Sequence, residues 1–372
     1  MQKFNIKTQI RRLYFITGIG CFQIAGASWV ALLALRGFTI LQIGFLESIF
    51  HIVSMTFEIP SGAIADVCGR KKTMMISQCM SIVSGIFMIL STSFWTIALA
   101  IAINALSYNF ASGTREALAY DSLKKANREE QYDHFASTEM MLYRVSNSTA
   151  TLCAGFALAV GYKIAYMTDV TVGLVALYFA CRLMEVPACQ VENKDIPNDV
   201  LTKETLCVRI YHCIKESVLF IKNNRRARVI IFVNALIGAV ATLMLFFLQA
   251  KLPLVGLPNL LLGPALFLMG LGAALGSKLV SAFSHRKYAN ILAFSTFGII
   301  LAMISMFTGN PYVMCVGGFV ASFSDDFLEV RTDIVLNHMI PSEQRATLVS
   351  ICSFTFSIVM FFLSPIMGWL FM

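Results

Sequence analysis

The chain has 372 residues, 57% of them hydrophobic and only 13% charged, and its 29 Lys+Arg outnumber 21 Asp+Glu for a net charge of +8. A soluble protein of this length has too little interior to bury that much apolar surface, so an ordinary soluble enzyme or binding domain is excluded. The positive balance does not point to nucleic acid either, because the bases gather in alternate loops between apolar runs, as in a polytopic membrane protein.

In chain order, the apolar runs predict helices at 13–34, 40–60, 73–92, 95–117, 136–160 and 166–186. Five more follow at 227–250, 259–282, 288–307, 311–331 and 345–371, making an all-α polytopic membrane protein with 11 transmembrane helices. The connections Leu35–Thr39, Ser93–Phe94, Gly161–Ala165, Lys251–Pro258 and Thr308–Asn310 are short, whereas the alternate ones are longer and charged. With the N-terminus cytoplasmic, Arg36, Lys163 and Lys251 are the only outer bases of the 29 Lys+Arg. That bias sets the orientation and places the C-terminus outside. Lys3, Lys7, Arg11 and Arg12 precede the first span as in a secretory signal, but the apolar stretch is too long and lacks a clear cleavage site, so it reads as a retained helix.

The ten cysteines form neither a Cys-x-x-Cys pair nor a Cys/His ligand spacing, so no disulfide framework and no metal site is expected. A P-loop, a Gly-x-Ser-x-Gly elbow and a His-Glu-x-x-His pair are all missing, so neither an enzyme nor a cofactor is expected.

The run from Glu58 to Lys72 joins the second and third spans and holds Gly62, Asp66, Gly69, Arg70 and Lys71. It resembles the signature loop of the major facilitator superfamily (MFS), Gly-x-x-x-Asp-[Arg/Lys]-x-Gly-[Arg/Lys]-[Arg/Lys], with Val67 where the first base usually stands. The resemblance implies the MFS fold, two pseudo-symmetric helical bundles. Internal similarity agrees with it. Leu13 and Ala227 open corresponding helices about 214 residues apart, and His285-Arg286-Lys287 lies at a similar offset from Gly69-Arg70-Lys71. The expected layout is an N-terminal six-helix bundle (1–186), a cytoplasmic linker (187–226) and a C-terminal bundle of five helices (227–372). The second half stops where the fifth helix of the first half ends, so a twelfth helix is missing from the pattern. Within the linker, Leu206, Ile210, Ile214, Val218 and Ile221 form an amphipathic helical stripe suited to a membrane surface or to packing on the bundle.

In the family this loop braces the first half against the eleventh helix. The resemblance therefore implies a conformational latch of Gly62, Asp66, Gly69, Arg70 and Lys71 with Arg345, whereas the plainer reading takes the bases as topology determinants. Charges inside spans are costly, about 2.5–3.5 kcal/mol each on insertion scales, and so mark candidate coupling residues. Glu47 and His51 lie one turn apart on the second helix and suit proton handling. The fourth helix ends in Gly113-Thr114-Arg115-Glu116-Ala117-Leu118-Ala119-Tyr120-Asp121-Ser122-Leu123, similar to a bacterial subgroup of permeases and drug-efflux proteins. Arg115, Glu116, Asp121 and Arg144 are expected to form either a gating network or static interfacial ion pairs. Asp325 or Asp326 is the corresponding candidate in the second half.

Gln23, Asn104, Asn147 and Asn234 are candidates for the substrate cavity, each equally suited to a hydrogen bond between helices, as is Asn109. The 30 Phe and 19 Met suit an adaptable apolar cavity. The Gly-Pro-x-x-Gly-Gly motif that drug–proton antiporters often carry is absent from the fifth helix, and sugar-porter signatures are absent from the loops. The reading is a monomeric secondary active transporter in the bacterial inner membrane, moving a small organic solute by alternating access with proton-coupled efflux. Its partners are the lipid bilayer, a small-molecule substrate and protons, with no nucleic acid. The alternative is a transport-incompetent remnant or a membrane scaffold.

Overall fold

The computed structural model describes residues 5–186, 224–283, 285–339 and 345–371. Within them the regular structure is helical, with no strand. The first predicted span is three pieces, α1 (Ile6–Gly20), α2 (Ile24–Ala27) and α3 (Trp29–Leu35). The second is one helix, α4 (Ile40–Cys68), which passes through Pro60 and most of the expected loop. It ends at Gly69, whose φ of +96° a glycine adopts without steric cost, and α5 (Arg70–Leu90) starts on the next residue. The expected connection thus shrinks to one glycine, because nothing between Ser61 and Cys68 prevents the helical hydrogen bonds from continuing.

Gly113, with φ of +71°, splits the fourth span into α6 (Phe94–Ala111) and α7 (Thr114–Lys125). The fifth is α8 (Tyr132–Leu152) and α9 (Ala154–Val160), and the sixth is α10 (Tyr162–Cys181). The second half supplies α11 (Arg225–Leu254), α12 (Asn259–Leu279), α13 (Tyr288–Ser305), α14 (Pro311–Met339) and α15 (Arg345–Leu370). The amphipathic stripe expected in the linker lies outside the described residues. Among the described residues, eight helical stretches are long and apolar enough to cross a membrane. The predicted first, fifth and tenth spans are not among them. Breaks shorten the first, polar and charged residues such as Glu139 and Arg144 run through α8 of the fifth, and Asp325, Asp326, Glu329, Arg331 and Asp333 make α14 polar.

Packing divides the described residues into two units: 5–27, 53–150 and 162–186 in the first, and the remainder in the second. Three rods of the first half therefore change unit along their length. The first span does so between α2 and α3, the fifth beside its Cys153 break, and α4 between Ile52 and Val53 with no break at all.

In the first unit α5 packs on α6, α7 and α10, and α1 packs on α10 and α7. Hydroxyls stitch α5 to α6: Ser84 Oγ donates to the Ala100 carbonyl at 2.7 Å, and Ser77 and Ser107 each donate to the other's carbonyl at 2.9 Å. Between helices in lipid such bonds and close packing replace the hydrophobic drive. Leu13, Ile16, Leu118, Leu123, Phe135 and Leu183 close one end of this unit, with Tyr14 stacked on Phe135 at 5.2 Å.

In the second unit α14 packs against α11, α12 and α13, α15 lies on α11, and α3 and α9 lie on α11 and α12. Small residues allow backbones to touch. Gly44 of α4 faces the Ser364 carbonyl of α15, and Gly155 of α9 faces the Asn259 carbonyl at the start of α12.

Candidate functional site

The end of the first unit that carries the signature loop is built around Arg70. Its guanidinium pairs with Asp121 of α7 and donates to the Ala117 carbonyl at 2.6 Å. The Lys71 N–H donates to Glu185 Oε1 at 3.2 Å, and that carboxylate fills the space a Cβ on Gly69 would need. Gln9 of α1 closes the same end, donating to Met184 O at 2.9 Å and accepting the Met184 N–H at 3.0 Å. Two sequence-derived groups thus meet, since Arg70 was expected in the latch and Asp121 in the gating set. The side chains of Asp66 and Arg345 lie outside the described residues, as does any contact between them.

A second charged centre sits deeper in this unit. Arg115, in the first turn of α7, pairs with Glu139 of α8, whose Oε1 also accepts the Thr17 hydroxyl of α1 at 3.1 Å. Glu116, half-buried, reaches Arg115 only at 3.6 Å, and the exposed Arg144 lies over the Tyr143 ring at 5.9 Å. The expected quartet is therefore divided: Arg115 with Glu116, Asp121 with Arg70, and Arg144 apart. Both Arg115 and Asp121 follow the αL glycine at position 113 on α7, but a six-residue spacing puts them about 9 Å apart along that helix and on different faces, so they meet different partners.

In the second unit α4 presents Glu47 and His51, both buried. His51 Nε2 lies 3.2 Å from Glu47 Oε1, and its Nδ1 lies 3.4 Å from Ser357 Oγ of α15. Phe50 and Phe356 set their rings edge-on to the imidazole, at 5.5 and 5.8 Å. Asp325 of α14 approaches Gly238 of α11: a Cβ built there would lie 3.3 Å from Asp325 Oδ1 and 3.7 Å from Phe356. Asp326, its neighbour in sequence, is half-buried, as is Asn234, one turn before Gly238.

The chemistry of the Glu47–His51–Ser357 chain follows from its donors. With a neutral imidazole, Nε2–H donates to the carboxylate while Nδ1 accepts the serine hydroxyl proton. After one proton is added, both ring nitrogens donate and the serine oxygen accepts. Each state keeps every hydrogen bond, so a proton can be held or released without leaving a buried group unsatisfied.

The remaining candidates are dispersed. Gln23 Nε2 donates to Ser81 Oγ at 3.5 Å, whereas Asn104 and Asn147 are exposed. Asn109 is buried and bonded twice to Ser54, at 2.6 and 2.8 Å, a packing role. Sequence reasoning missed Glu139, Thr17 and Asp169. The signal was present for the two acids, since both fall within predicted spans where an ionisable group is costly. Among the described residues no cluster of His, Cys, Asp and Glu is arranged to hold a metal ion.

Comparison with known proteins agrees with this architecture. The Major Facilitator Superfamily profile matches residues 13–323. The "Uncharacterized MFS-type transporter YxaM" of Bacillus subtilis (strain 168) is 21% identical over 329 residues, covering 87% of this chain and 79% of its own. Among solved structures, a mutant of the nucleoside transporter NupG superposes with a TM-score of 0.77 at 17% identity, over 98% of this chain and 91% of that one. A bacterial homolog of the human lysosomal transporter Spinster, in an inward-facing and unoccupied conformation, gives 0.74 at 15% identity, over 98% and 82%. From its signature loop, its helical units and these relatives, the chain belongs to the Major Facilitator Superfamily and is a multi-pass membrane protein that transports a solute.

Proposed function

We propose that this transporter is proton-coupled and exports small, amphipathic organic solutes across the bacterial inner membrane by alternating access. The observation that carries the reading is the Glu47–His51–Ser357 chain, which keeps its hydrogen bonds with or without an added proton. Histidine is the side chain whose ordinary titration falls near neutral pH, so the group suits loading and unloading by a physiological proton gradient. Phe50 and Phe356 beside the imidazole supply an apolar, aromatic surface to a solute, and Asp325 supplies a carboxyl group on a neighbouring helix. Acid and aromatic surface together favour cationic amphipaths. The N-terminus faces the cytoplasm, as the distribution of bases implies.

The signature loop supplies the latch. Arg70 is held by Asp121 within its unit, and Asp66 and Arg345 are the residues through which the loop would brace against the start of α15.

The test uses the purified full chain in liposomes with an imposed pH gradient and tetraphenylphosphonium as probe. Gradient-driven accumulation should disappear with a protonophore and in Glu47→Gln. Accumulation that ignores the gradient overturns proton coupling. If only anionic or sugar probes are moved, the assignment of solute class is wrong.

A further inference from the structure

The first span is broken where the chain leaves the first unit for the second, and one acid holds the break. α1 stops at Gly20, α2 is a single turn from Ile24 to Ala27, and Ser28 opens the second unit. Asp169 of α10 accepts the Ala25 N–H at 3.2 Å through one oxygen and the Gly26 N–H at 2.9 Å through the other, and the Ile24 N–H adds a third bond. With α1 ended at Gly20, these three amides begin a new turn and have no preceding helical carbonyls to pair with. The Ala27 N–H, the next in line, is met by the Gln23 carbonyl at 2.9 Å.

The carboxylate is also fixed in place. α10 is seated on α5 through Gly85 against Val170 and Gly173 against Ile82, and on α1 through Gly20 against Ala176. Gly26 lets the turn come close, since a Cβ there would meet Gln23 Oε1 at 3.1 Å and Asp169 Oδ2 at 3.7 Å. The groups facing Asp169 from α1, α2 and α5 are uncharged among the described residues. Gln23 and Ser81 bond to one another, and Cys21 faces Arg115 and Glu139 instead. For an acid inside a span with backbone N–H partners and no counter-ion, those bonds favour the carboxylate while burial disfavours it, so the bonds and the charge stand or fall together.

We propose that Asp169 is a positioning residue for transport. As a carboxylate it pins the break in the first span, and with it Gln23. When a proton binds one of its oxygens, that oxygen stops accepting and the turn is released. This element is separate from Glu47 and His51, and its test reads no substrate.

The experiment is hydrogen exchange by mass spectrometry on the full chain in lipid nanodiscs, corrected for intrinsic exchange rates, on peptides covering 22–30. At neutral pH, Asp169→Asn should speed exchange there about tenfold, the effect of losing one charge-assisted bond of roughly 1.4 kcal/mol. Peptides of α12 and α13 should not change. The wild-type protein should approach the variant's rate as the pH is lowered, and Asp169→Glu should restore part of the protection. Equal exchange in wild type and Asp169→Asn overturns the pin. A wild-type rate that ignores acid overturns the proton release. Should Asp169→Asn fail to fold, the wild-type acid dependence and Asp169→Glu decide the matter alone.

Discussion

Glu139 in the first unit and Glu47 in the second are both buried carboxylates met by a basic side chain, but the bases differ in kind. Arg115 presents a guanidinium and His51 an imidazole, the side-chain type that serves as both donor and acceptor and can take up a proton. The first pair joins α7 to α8 and, through Thr17, to α1, so it fastens three helices at one point. The second joins two turns of one helix and reaches α15 through a serine hydroxyl, which can donate or accept. A guanidinium tied to three helices is suited to holding; an imidazole that can take up a proton is suited to coupling.

The largest effect is expected where the Arg115–Glu139 pair is broken. Glu139→Gln leaves the half-buried Arg115 only its longer contact with Glu116, at a cost of up to about 3–5 kcal/mol, the range for breaking a buried pair. Thermal unfolding in detergent should move down by many degrees, and an unchanged midpoint would show that the pair does not fasten the unit. Glu47→Gln should leave that midpoint within about 1 kcal/mol of stability, because a neutral amide still pairs with the imidazole. Proton-driven flux should nevertheless fall at least about tenfold while gradient-independent exchange of solute persists. Parallel loss of both activities would remove the distinction between the two carboxylates.

A smaller change is expected at the loop. Asp66→Asn should slow transport and leave membrane insertion intact, measured as flux per inserted molecule, and normal rates would rule out the latch. Gly44→Ala forces a methyl group against the Ser364 carbonyl and should cost about 1–3 kcal/mol by overpacking, read in the same melting experiment. The smallest effect belongs to Asn104→Ala, an exposed site whose change should stay within about 0.5 kcal/mol and leave flux unaltered.

Much of this was legible in the chain itself. Apolar runs of bilayer length, the alternation of basic loops and the Gly62–Lys71 pattern each report a local or periodic property, and the lipid environment leaves helices few alternatives. The spacing of Glu47 and His51 likewise predicts a contact, because residues four apart on a helix share a face. Glu139 and Asp169 carried the same warning of a costly charge in lipid, yet their meaning depends on partners 24 residues and more than 140 residues away in sequence.

The sequence by itself determined the membrane class, the helical rods and the family, since those follow from hydrophobic length and backbone satisfaction within each segment. Only the tertiary structure decided where the rods break and which charges pair. Whether a glycine such as Gly113 adopts φ of +71° or stays helical is a difference of a few tenths to about 1 kcal/mol, settled by what packs around it. Arg115 takes Glu139 and Arg70 takes Asp121 because folded helices bring those atoms together, and no periodicity in the chain encodes that choice.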